Sequence, residues 1–251
     1  MDKITSRKNP LISHIRKLTS DREYRYACRE YVCEGLTLIE EAVSSGVEIC
    51  CVLWSDDHET KQVDARVQFS VPPELYAYVS PLKNSPGPLF TVKMPEFGTG
   101  GNISSAIILE NVQDPGNIGT VIRSANAFGI GSVVLTGSCA DHYSIKAVRA
   151  SMGAIFRQRV DTVAVSDLKF FSDSNSLKLY AAALSAEAVD IRSIDCKNCA
   201  FAVGNEGSGL SADLMELCDR KVIIPMSINA ESLNAAVAAS VLMWEMRRRE
   251  M

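Results

Sequence analysis

The chain has 251 residues and a formal net charge of −4, with 47% hydrophobic and 22% charged residues, a composition typical of one large or two modest globular domains. No run approaches the roughly 18 apolar residues of a membrane span, and the charged start MDKITSRKNP lacks the apolar stretch of a signal peptide. We therefore expect no membrane segment and a cytoplasmic location. The negative net charge also argues against non-specific binding of nucleic acid over the whole surface.

The chain has eight cysteines in 251 residues, including the adjacent Cys50 and Cys51. This number and spacing fit buried, reduced thiols better than the disulfide scaffold of a secreted protein. Cys196 and Cys199 form a single CxxC pattern with no second pair and no histidine cluster. A structural role is favoured over zinc or redox chemistry, and we predict no metal site.

The first 31 residues have a positive net charge, whereas the chain as a whole is negative. Between Met1 and Tyr31, basic residues outnumber acidic ones by eight to four. A basic arm on an acidic body is compatible with an RNA partner, although a solvated amphipathic helix would show the same pattern. The basic residues are Lys3, Arg7, Lys8, Arg16, Lys17, Arg22, Arg25 and Arg29.

After this arm, the pattern predicts a small α/β domain. EYVCEG and VEICCVLWS have the apolar and β-branched character of strands, and LTLIEEAVSSG between them predicts a helix that ends at Gly46. VQFSV, PELYAYV and PLFTVK are weaker strand, helix and strand candidates. MPEFGTGGN, from Met94 to Asn102, has the glycine and proline density of a linker, so we expect domains at 1–97 and 103–251.

From Ile103 onward, strands and helices alternate regularly. We expect strands at AIILE, SVVLT, LKLYAAAL, AFAVG and KVIIP, and helices after the first loop, through SIKAVRASMGAIF, from about Ser211 and from about Ser232. This alternation predicts a mainly parallel sheet with helices on both faces, in which ligands bind beyond the carboxyl ends of the strands.

The first informative loop is NVQDPGNIGTVIRSANAFG, from Asn111 to Gly129. Asn117 is well suited to cap a helix that starts at about Ile118, with one apolar face formed by Ile118, Val121, Ile122 and Ala125. Gly119, Arg123 and Asn126 fall on another face. Arg123 therefore points away from the core, either as a surface charge or as a ligand-binding group.

The other two loops follow later strands. VGNEGSGLS lacks the spacing of a dinucleotide or phosphate-binding glycine loop, which disfavours a nicotinamide or nucleoside triphosphate site. In IIPMSINAESLNAAVAAS, the strand ends at Pro225 and Ser232 is a plausible cap of the last helix. One face of that helix packs on the sheet or on another subunit; it comprises Leu233, Val237, Ser240, Val241 and Trp244.

Taken in order, these three loops resemble motifs 1, 2 and 3 of the SpoU (TrmH) group of RNA ribose methyltransferases, within the SPOUT superfamily. The match spans roughly Ile107 to Trp244, and the upstream ITSRKNPLISHIRKL and EYVCEGLTLIEEAV resemble the small RNA-binding domain often fused before it. The resemblance implies a carboxyl-terminal trefoil knot, S-adenosylmethionine bound among the knot loops, and a homodimer to which the final helix contributes.

By matching position, the resemblance also implies site residues. Motif 3 departs from the frequent Leu-Asn-Val-Ser, since Ala235 and Ala236 follow Leu233 and Asn234. Cofactor binding falls on Gly204, Ile224 and Leu233, with Thr136, Gly137, Asn205, Gly207 and Met226 as neighbours. Catalysis and RNA docking fall on Asn117, Arg123, Glu206, Ser232 and Asn234.

The implied reaction moves a methyl group from a sulfonium to a ribose 2′-hydroxyl. Arg123 is the family's candidate base, but a guanidinium is not expected to lose its proton, so a phosphate clamp is an equally good role. KAVRASMGAIFR, from Lys146 to Arg157, is more similar to members acting on large-subunit ribosomal RNA than to tRNA-specific ones. A tRNA methyltransferase, a drug-resistance methyltransferase and a non-catalytic RNA-binding protein are the alternatives.

Overall fold

The computed structural model describes residues 1–57, 60–82, 87–97, 103–227 and 232–248. The helices in these residues are α1 (Pro10–Ser20), α2 (Arg22–Cys28), α3 (Leu36–Ser44), α4 (Pro73–Val79), α5 (Pro115–Phe128), α6 (Ile145–Ala150), α7 (Leu168–Ser174), α8 (Ala212–Leu217) and α9 (Ala235–Arg247). The strands are β1 (Asp2–Lys3), β2 (Glu30–Glu34), β3 (Ile49–Ser55), β4 (Val67–Val71), β5 (Leu89–Lys93), β6 (Ser105–Glu110), β7 (Ser132–Thr136), β8 (Val160–Thr162), β9 (Lys178–Ala182), β10 (Val189–Asp190), β11 (Cys199–Val203) and β12 (Arg220–Ile223). In this part of the chain, no helix is long and apolar enough to cross a membrane.

The chain divides into two compact units. The amino-terminal unit comprises residues 1–96 and 141–156, and the carboxyl-terminal unit comprises residues 97–140 and 157–251. The sequence placed residues 141–156 in the second domain because they follow β7. Ile145, in α6, instead packs against the core of the amino-terminal unit.

The amino-terminal unit is built on a mixed sheet in the order β1-β4-β3-β5-β2. β3 pairs in parallel with β4 and antiparallel with β5, so this sheet is not a simple series of parallel crossovers. Its core includes Leu53 and Val71 from the strands and Ile12, Ile15 and Leu18 from α1. The predicted small α/β domain is present, with every predicted strand and helix at its expected place.

The segment predicted as a basic arm contains two helices, α1 and α2. Asn9 caps α1, and the apolar residues of α1 recur at three-residue spacing and are buried, so the amphipathic alternative describes this helix correctly. Arg25, in α2, is 5% exposed and therefore cannot belong to an RNA-binding surface of the folded unit. The remaining cations of α1 and α2 are exposed.

The carboxyl-terminal unit contains a sheet in the order β10-β12-β9-β11-β6-β7-β8, in which all pairings are parallel. This confirms the predicted parallel sheet. Its strands β6, β7 and β11 are buried along their whole length, as expected when helices cover both faces. SIKAVRASMGAIF, predicted as one helix, is α6 followed by a separate 3-10 turn at Ala154–Phe156, because Met152 and Gly153 adopt positive φ angles.

The predicted start of α5 was wrong. The helix begins at Pro115, and the side chain of Asp114 accepts the hydrogen bond from the Gly116 amide. Asn117 lies inside the first turn and does not cap it. The predicted apolar face is buried and Arg123 is exposed as expected, whereas Gly119 is buried.

The predicted cap of α9 was also wrong. Asn234, not Ser232, accepts hydrogen bonds from the amides of Ala236 and Val237. The face predicted to pack on the sheet or on another subunit is exposed at Val237, Val241 and Trp244, so it does not pack on the sheet, and the opposite, alanine- and methionine-rich face is buried. The strand before this segment, β12, ends at Ile223 rather than at Pro225.

Candidate active site

Strand register brings the three informative loops to one edge of the parallel sheet. Leu109 in β6 lies beside Val203 of β11 on one side and beside Leu135 of β7 on the other. These three strands therefore end at the same level, and the loops that follow them are neighbours. On the far side of β11, β9 and β12 continue the same edge.

A cavity of about 480 Å³ opens at this edge. Pockets that hold small molecules commonly measure roughly 300–1,000 Å³, with mostly apolar linings. The walls come from the ends of β9, β11 and β12, the loops after them and the segment before α9. The lining residues are Ala182, Ala183, Leu184, residues 203–210, Met215, Val222, Ile223, Ile224, Met226, Ser232, Leu233, Ala235 and Ala238.

Most of the predicted cofactor residues line this cavity, namely Gly204, Asn205, Gly207, Ile224, Met226 and Leu233. Thr136 and Gly137 do not. They stand at the end of β7, where Thr136 is buried and Gly137 has a φ of 64°. A β-carbon at Gly137 would come within 2.3 Å of the Asn111 side-chain oxygen, so these two residues support the neighbouring loop rather than the cavity wall.

The loop after β11 folds back on itself. The Asn205 side chain donates to the Asn111 carbonyl over 2.9 Å and accepts from the Gly207 amide over 2.8 Å, while the Gly209 amide donates to the Asn205 carbonyl. Gly204 sits under this turn, and a β-carbon there would lie 2.2 Å from the Gly209 carbonyl carbon. The close approach of two backbone segments explains why glycine occupies this position.

A buried carboxylate fixes the far end of the same loop. Glu110, at the end of β6, is 2% exposed and accepts hydrogen bonds from the backbone amide and the hydroxyl of Ser211, at 2.7 and 2.6 Å. Ser211 in turn caps α8 through the Leu214 amide. The loop between β11 and α8 is thus anchored to β6 at both Asn205 and Ser211.

Three predicted catalytic residues form one chain of hydrogen bonds. Asn234 donates from its side-chain amide to the side-chain oxygen of Asn117 over 3.2 Å, and Asn117 donates to the carboxylate of Glu206. This chain joins the segment before α9, the first turn of α5 and the loop after β11. Only Glu206 of the three lines the cavity, and it is the one charged side chain among the lining residues described.

The other two predicted catalytic residues lie apart from this chain. Ser232 lines the cavity and is exposed, and it makes no cap. Arg123 is exposed on α5 and is not part of the lining. In the part of the chain that the structure describes, no carboxylate contacts Arg123, so its guanidinium is available to an external anion.

Sequence reasoning missed part of the cavity wall, Ala182, Ala183 and Leu184. These residues follow β9, which pairs with β11, but nothing in the local pattern of LKLYAAAL says which strand is its neighbour. The small side chains of Ala182 and Ala183 at the end of β9 were the one feature of the sequence that could have indicated a cavity wall there. Leu184 is 62% exposed, which is unusual for leucine and places an apolar contact at the rim.

The thiols near the sheet are poor nucleophiles. Burial raises the pKa of Cys218 to about 12 and also raises the pKa of Cys139, so both stay protonated at neutral pH. A hydrogen bond with Cys196, together with burial, raises the pKa of Cys199. The described residues contain no cluster of three or more histidine, cysteine or acidic side chains that is arranged to hold a metal ion.

The sequence model of the SpoU rRNA Methylase family matches residues 104–244, which include every wall of the cavity. The chain belongs to this family. Among curated proteins, the 23S rRNA (guanosine(2553)-2′-O)-methyltransferase RlmP of Bacillus subtilis is 30% identical over 254 residues, covering 98% of this chain and 100% of RlmP. The predicted enzyme class, a SpoU-family RNA 2′-O-ribose methyltransferase, is confirmed.

Solved structures of SpoU-family proteins share the architecture. An AdoMet-bound rRNA methyltransferase from Sinorhizobium meliloti has a TM-score of 0.87 at 26% identity and covers 100% of this chain and 98% of its own. The SpoU methyltransferase AviRb from Streptomyces viridochromogenes, in complex with AdoMet, has a TM-score of 0.84 at 26% identity, with 96% and 99% covered. The likeness shows the predicted SPOUT fold. Residues 228–231 of the segment predicted to be knotted lie outside the described residues.

Proposed function

We propose that the cavity binds S-adenosylmethionine and that this SpoU-family enzyme methylates a ribose 2′-hydroxyl of large-subunit ribosomal RNA. The observation that carries the proposal is the convergence of Gly204, Ile224 and Leu233 on a single apolar cavity. AdoMet is bound in the neighbours from S. meliloti and S. viridochromogenes, and RlmP acts on 23S rRNA by name.

The residues present fit such a cofactor. The cavity is large enough for a nucleoside, and Gly204, Gly207 and Gly209 line it with backbone groups only. When bound, S-adenosylmethionine supplies a methyl group on a positively charged sulfur, which is already an activated leaving group. The protein therefore has mainly to align the ribose hydroxyl with that methyl group.

We assign Arg123 the role of a clamp on the phosphate beside the target ribose. Its planar guanidinium offers a bidentate fork to phosphate, and no described carboxylate competes for it. A guanidinium does not readily give up its proton, so the hydroxyl proton passes to water rather than to Arg123. An Arg123→Lys enzyme keeps the charge but not the fork, and should retain only a small part of the turnover while still docking RNA.

Binding of RNA is assigned to exposed cations of the amino-terminal unit. The guanidinium carbons of Arg7 and Arg16 lie 4.5 and 4.1 Å from the ring centroid of Tyr78, and Lys17 lies 5.3 Å from that of Tyr24. Stacking on a tyrosine holds the cation in place. One Arg16 nitrogen donates to the Tyr78 hydroxyl, and the other N–H groups of its guanidinium are left for phosphate. Arg25 is removed from the predicted set because it is buried.

We also propose a homodimer that covers the exposed apolar stripe of α9. Val237 and Trp244 are each 49% exposed and Val241 is 36% exposed, and the Trp244 ring stacks edge-on against Phe128 at 5.9 Å. A stripe of this kind on an otherwise polar surface marks an interface, and a second copy is the occupant that the family resemblance implies. Sedimentation should give a dimer for the parent and a monomer for Val241→Lys.

The deciding experiment incubates the protein with methyl-labelled S-adenosylmethionine and separated fractions of ribosomal RNA and tRNA, and then maps the modified nucleotide. We expect label on a ribose of large-subunit ribosomal RNA. Label on tRNA alone would establish the tRNA alternative. Cofactor binding without label on either fraction would contradict both RNA assignments. The cytoplasmic location and the absence of a metal stay predictions.

A further inference from the structure

The hydrogen-bond chain from Asn234 through Asn117 to Glu206 has a fixed direction. The Asn234 side-chain oxygen accepts from two backbone amides, at 2.9 and 3.3 Å, so the atom that faces Asn117 is the amide nitrogen. The atom of Asn117 that accepts is then its oxygen, and its nitrogen is left to donate to Glu206. The capping of α9 therefore determines that a carboxylate, or another acceptor, must stand at position 206.

This direction matters because Glu206 is the one charged side chain among the described lining residues. The other described walls offer backbone groups, apolar surface and the neutral polar side chains of Asn205, Ser208 and Ser232. Glu206 is also exposed, so nothing in the fold requires a carboxylate there for packing. Among the described walls, a ligand that enters the cavity meets one negative charge, which residues from two other segments hold in place.

S-adenosylmethionine carries a positive charge on sulfur, and the product S-adenosylhomocysteine does not. We propose, on the basis of the proposed function, that Glu206 is the group by which the cavity distinguishes the cationic cofactor from its neutral product. Asn117 and Asn234 act as positioning residues for this carboxylate. For an exposed carboxylate a few ångströms from a cation, water limits the gain in affinity to roughly fivefold.

Such discrimination has a catalytic purpose. Methyl transfer removes the positive charge from the ligand, so the same carboxylate that favours entry of the cofactor no longer favours retention of the product. The attraction is lost in the same step as the S–CH₃ bond, without any movement of the protein. The product is then held less tightly than the cofactor in the same cavity and dissociates faster than the cofactor does.

The test measures the affinities of three ligands by calorimetry: S-adenosylmethionine, S-adenosylhomocysteine and sinefungin, in which an ammonium group replaces the sulfonium. Glu206→Gln should weaken both cationic ligands by roughly fivefold and leave S-adenosylhomocysteine within about twofold. Asn117→Ala should produce part of the same loss, because it releases the carboxylate. Added salt should reduce the discrimination of the parent protein.

A double variant, Asn117→Asp with Glu206→Gln, separates charge from structure. The aspartate introduced at position 117 accepts from both Asn234 and the glutamine introduced at position 206, so the two hydrogen bonds and the net charge are kept while the carboxylate leaves the lining. We expect the thermal stability of the parent and a discrimination weaker than the parent's, because the carboxylate stands farther from the ligand. Parallel loss of all three ligands in Glu206→Gln, or parent-like discrimination in the double variant, would overturn the inference. Failure of the parent to bind any of the three would overturn the proposed function itself.

Discussion

Arg25 and Arg123 lie in different units and have opposite surroundings. Arg25 is 5% exposed, donates to Asp141 over 2.6 and 2.9 Å and also reaches the Leu18 carbonyl. Arg123 is exposed, and no carboxylate in the described residues contacts it. In the amino-terminal unit, Arg25 thus holds two segments of the unit together. In the carboxyl-terminal unit, Arg123 is available to bind an external anion. A count of positive charges in the sequence treats both alike.

The largest expected effect is on the rate of methyl transfer when Arg123 is replaced. Arg123→Ala should reduce methyl transfer by roughly a thousandfold, because the charge aligned with the reacting ribose is lost. Labelled turnover and calorimetry on the same preparation measure this, and the affinity for S-adenosylmethionine should stay within about twofold. Arg192→Ala, which removes an exposed arginine paired with Asp190, is the matched control. Turnover close to the parent's would refute the assignment.

The next effect is on the stability of the amino-terminal unit when Arg25 is replaced. Arg25→Met leaves Asp141 buried without its partner and should lower the free energy of unfolding of the amino-terminal unit by about 3–5 kcal/mol. Trp54 is buried in this unit, and Trp244 is the other tryptophan of the chain, so Trp54 fluorescence in a Trp244→Phe background follows the unit alone.

Lys3→Met removes the exposed pair with Asp56 and should cost under about 1 kcal/mol in the same assay. Equal losses for the two substitutions would mean that burial of the Arg25 pair is not what stabilises the unit.

A smaller effect should follow from His142, which is 4% exposed in the same unit. Burial lowers the pKa of His142 to about 4; the nearby Arg22 lowers this pKa further, and Asp141 raises it. The rings of Tyr26 and Tyr143 pack beside the imidazole. The unfolded chain takes up a proton below its ordinary pKa of about 6.5, while the folded chain does not. Stability is therefore full above that pH and is lost as the pH falls towards 4, by an amount on the order of 3 kcal/mol.

The measurement is urea unfolding of the amino-terminal unit between pH 7 and pH 4, again through Trp54. His142→Phe keeps the aromatic packing and removes the titrating group, so its stability should fall less over this range. A parent and variant with the same pH dependence would show that other groups control acid unfolding.

The smallest expected effect is on RNA affinity. Arg16→Gln should weaken binding by several-fold and reduce the slope of log affinity against log salt by about 1, because one phosphate contact is lost. Filter binding over a range of salt concentrations measures both quantities. Lys61→Gln changes the charge equally, but Lys61 is paired with Glu40, so it should have little effect. An unchanged slope for Arg16→Gln would remove Arg16 from the RNA surface.

The convergence of the loops was predictable because a parallel sheet places the loops after its strands at one edge. The resemblance implied Gly204, Ile224 and Leu233 from separated segments, and all three line one cavity. The neighbours Ala182 and Ala183 were not predictable, since their position depends on the pairing of β9 with β11, which is set by long-range packing.

The two wrong caps have a common physical cause. Asp114 and Asn117, like Ser232 and Asn234, are all good capping residues within a few positions of a helix start. A local pattern alone cannot choose between two such residues. Asn117 is used to bridge Glu206 and Asn234, and these partners lie 89 and 117 residues away in the chain.

Residues 141–156 fold with the amino-terminal unit, yet they lie inside the 104–244 span by which the family is defined. The family span therefore includes part of the hydrophobic core of the amino-terminal unit. Exchange of amino-terminal units between relatives would have to replace both pieces together, or leave His142 and Ile145 without the residues that evolved around them. The two units can be distinguished in space, but recombination at a single point between them cannot separate them cleanly.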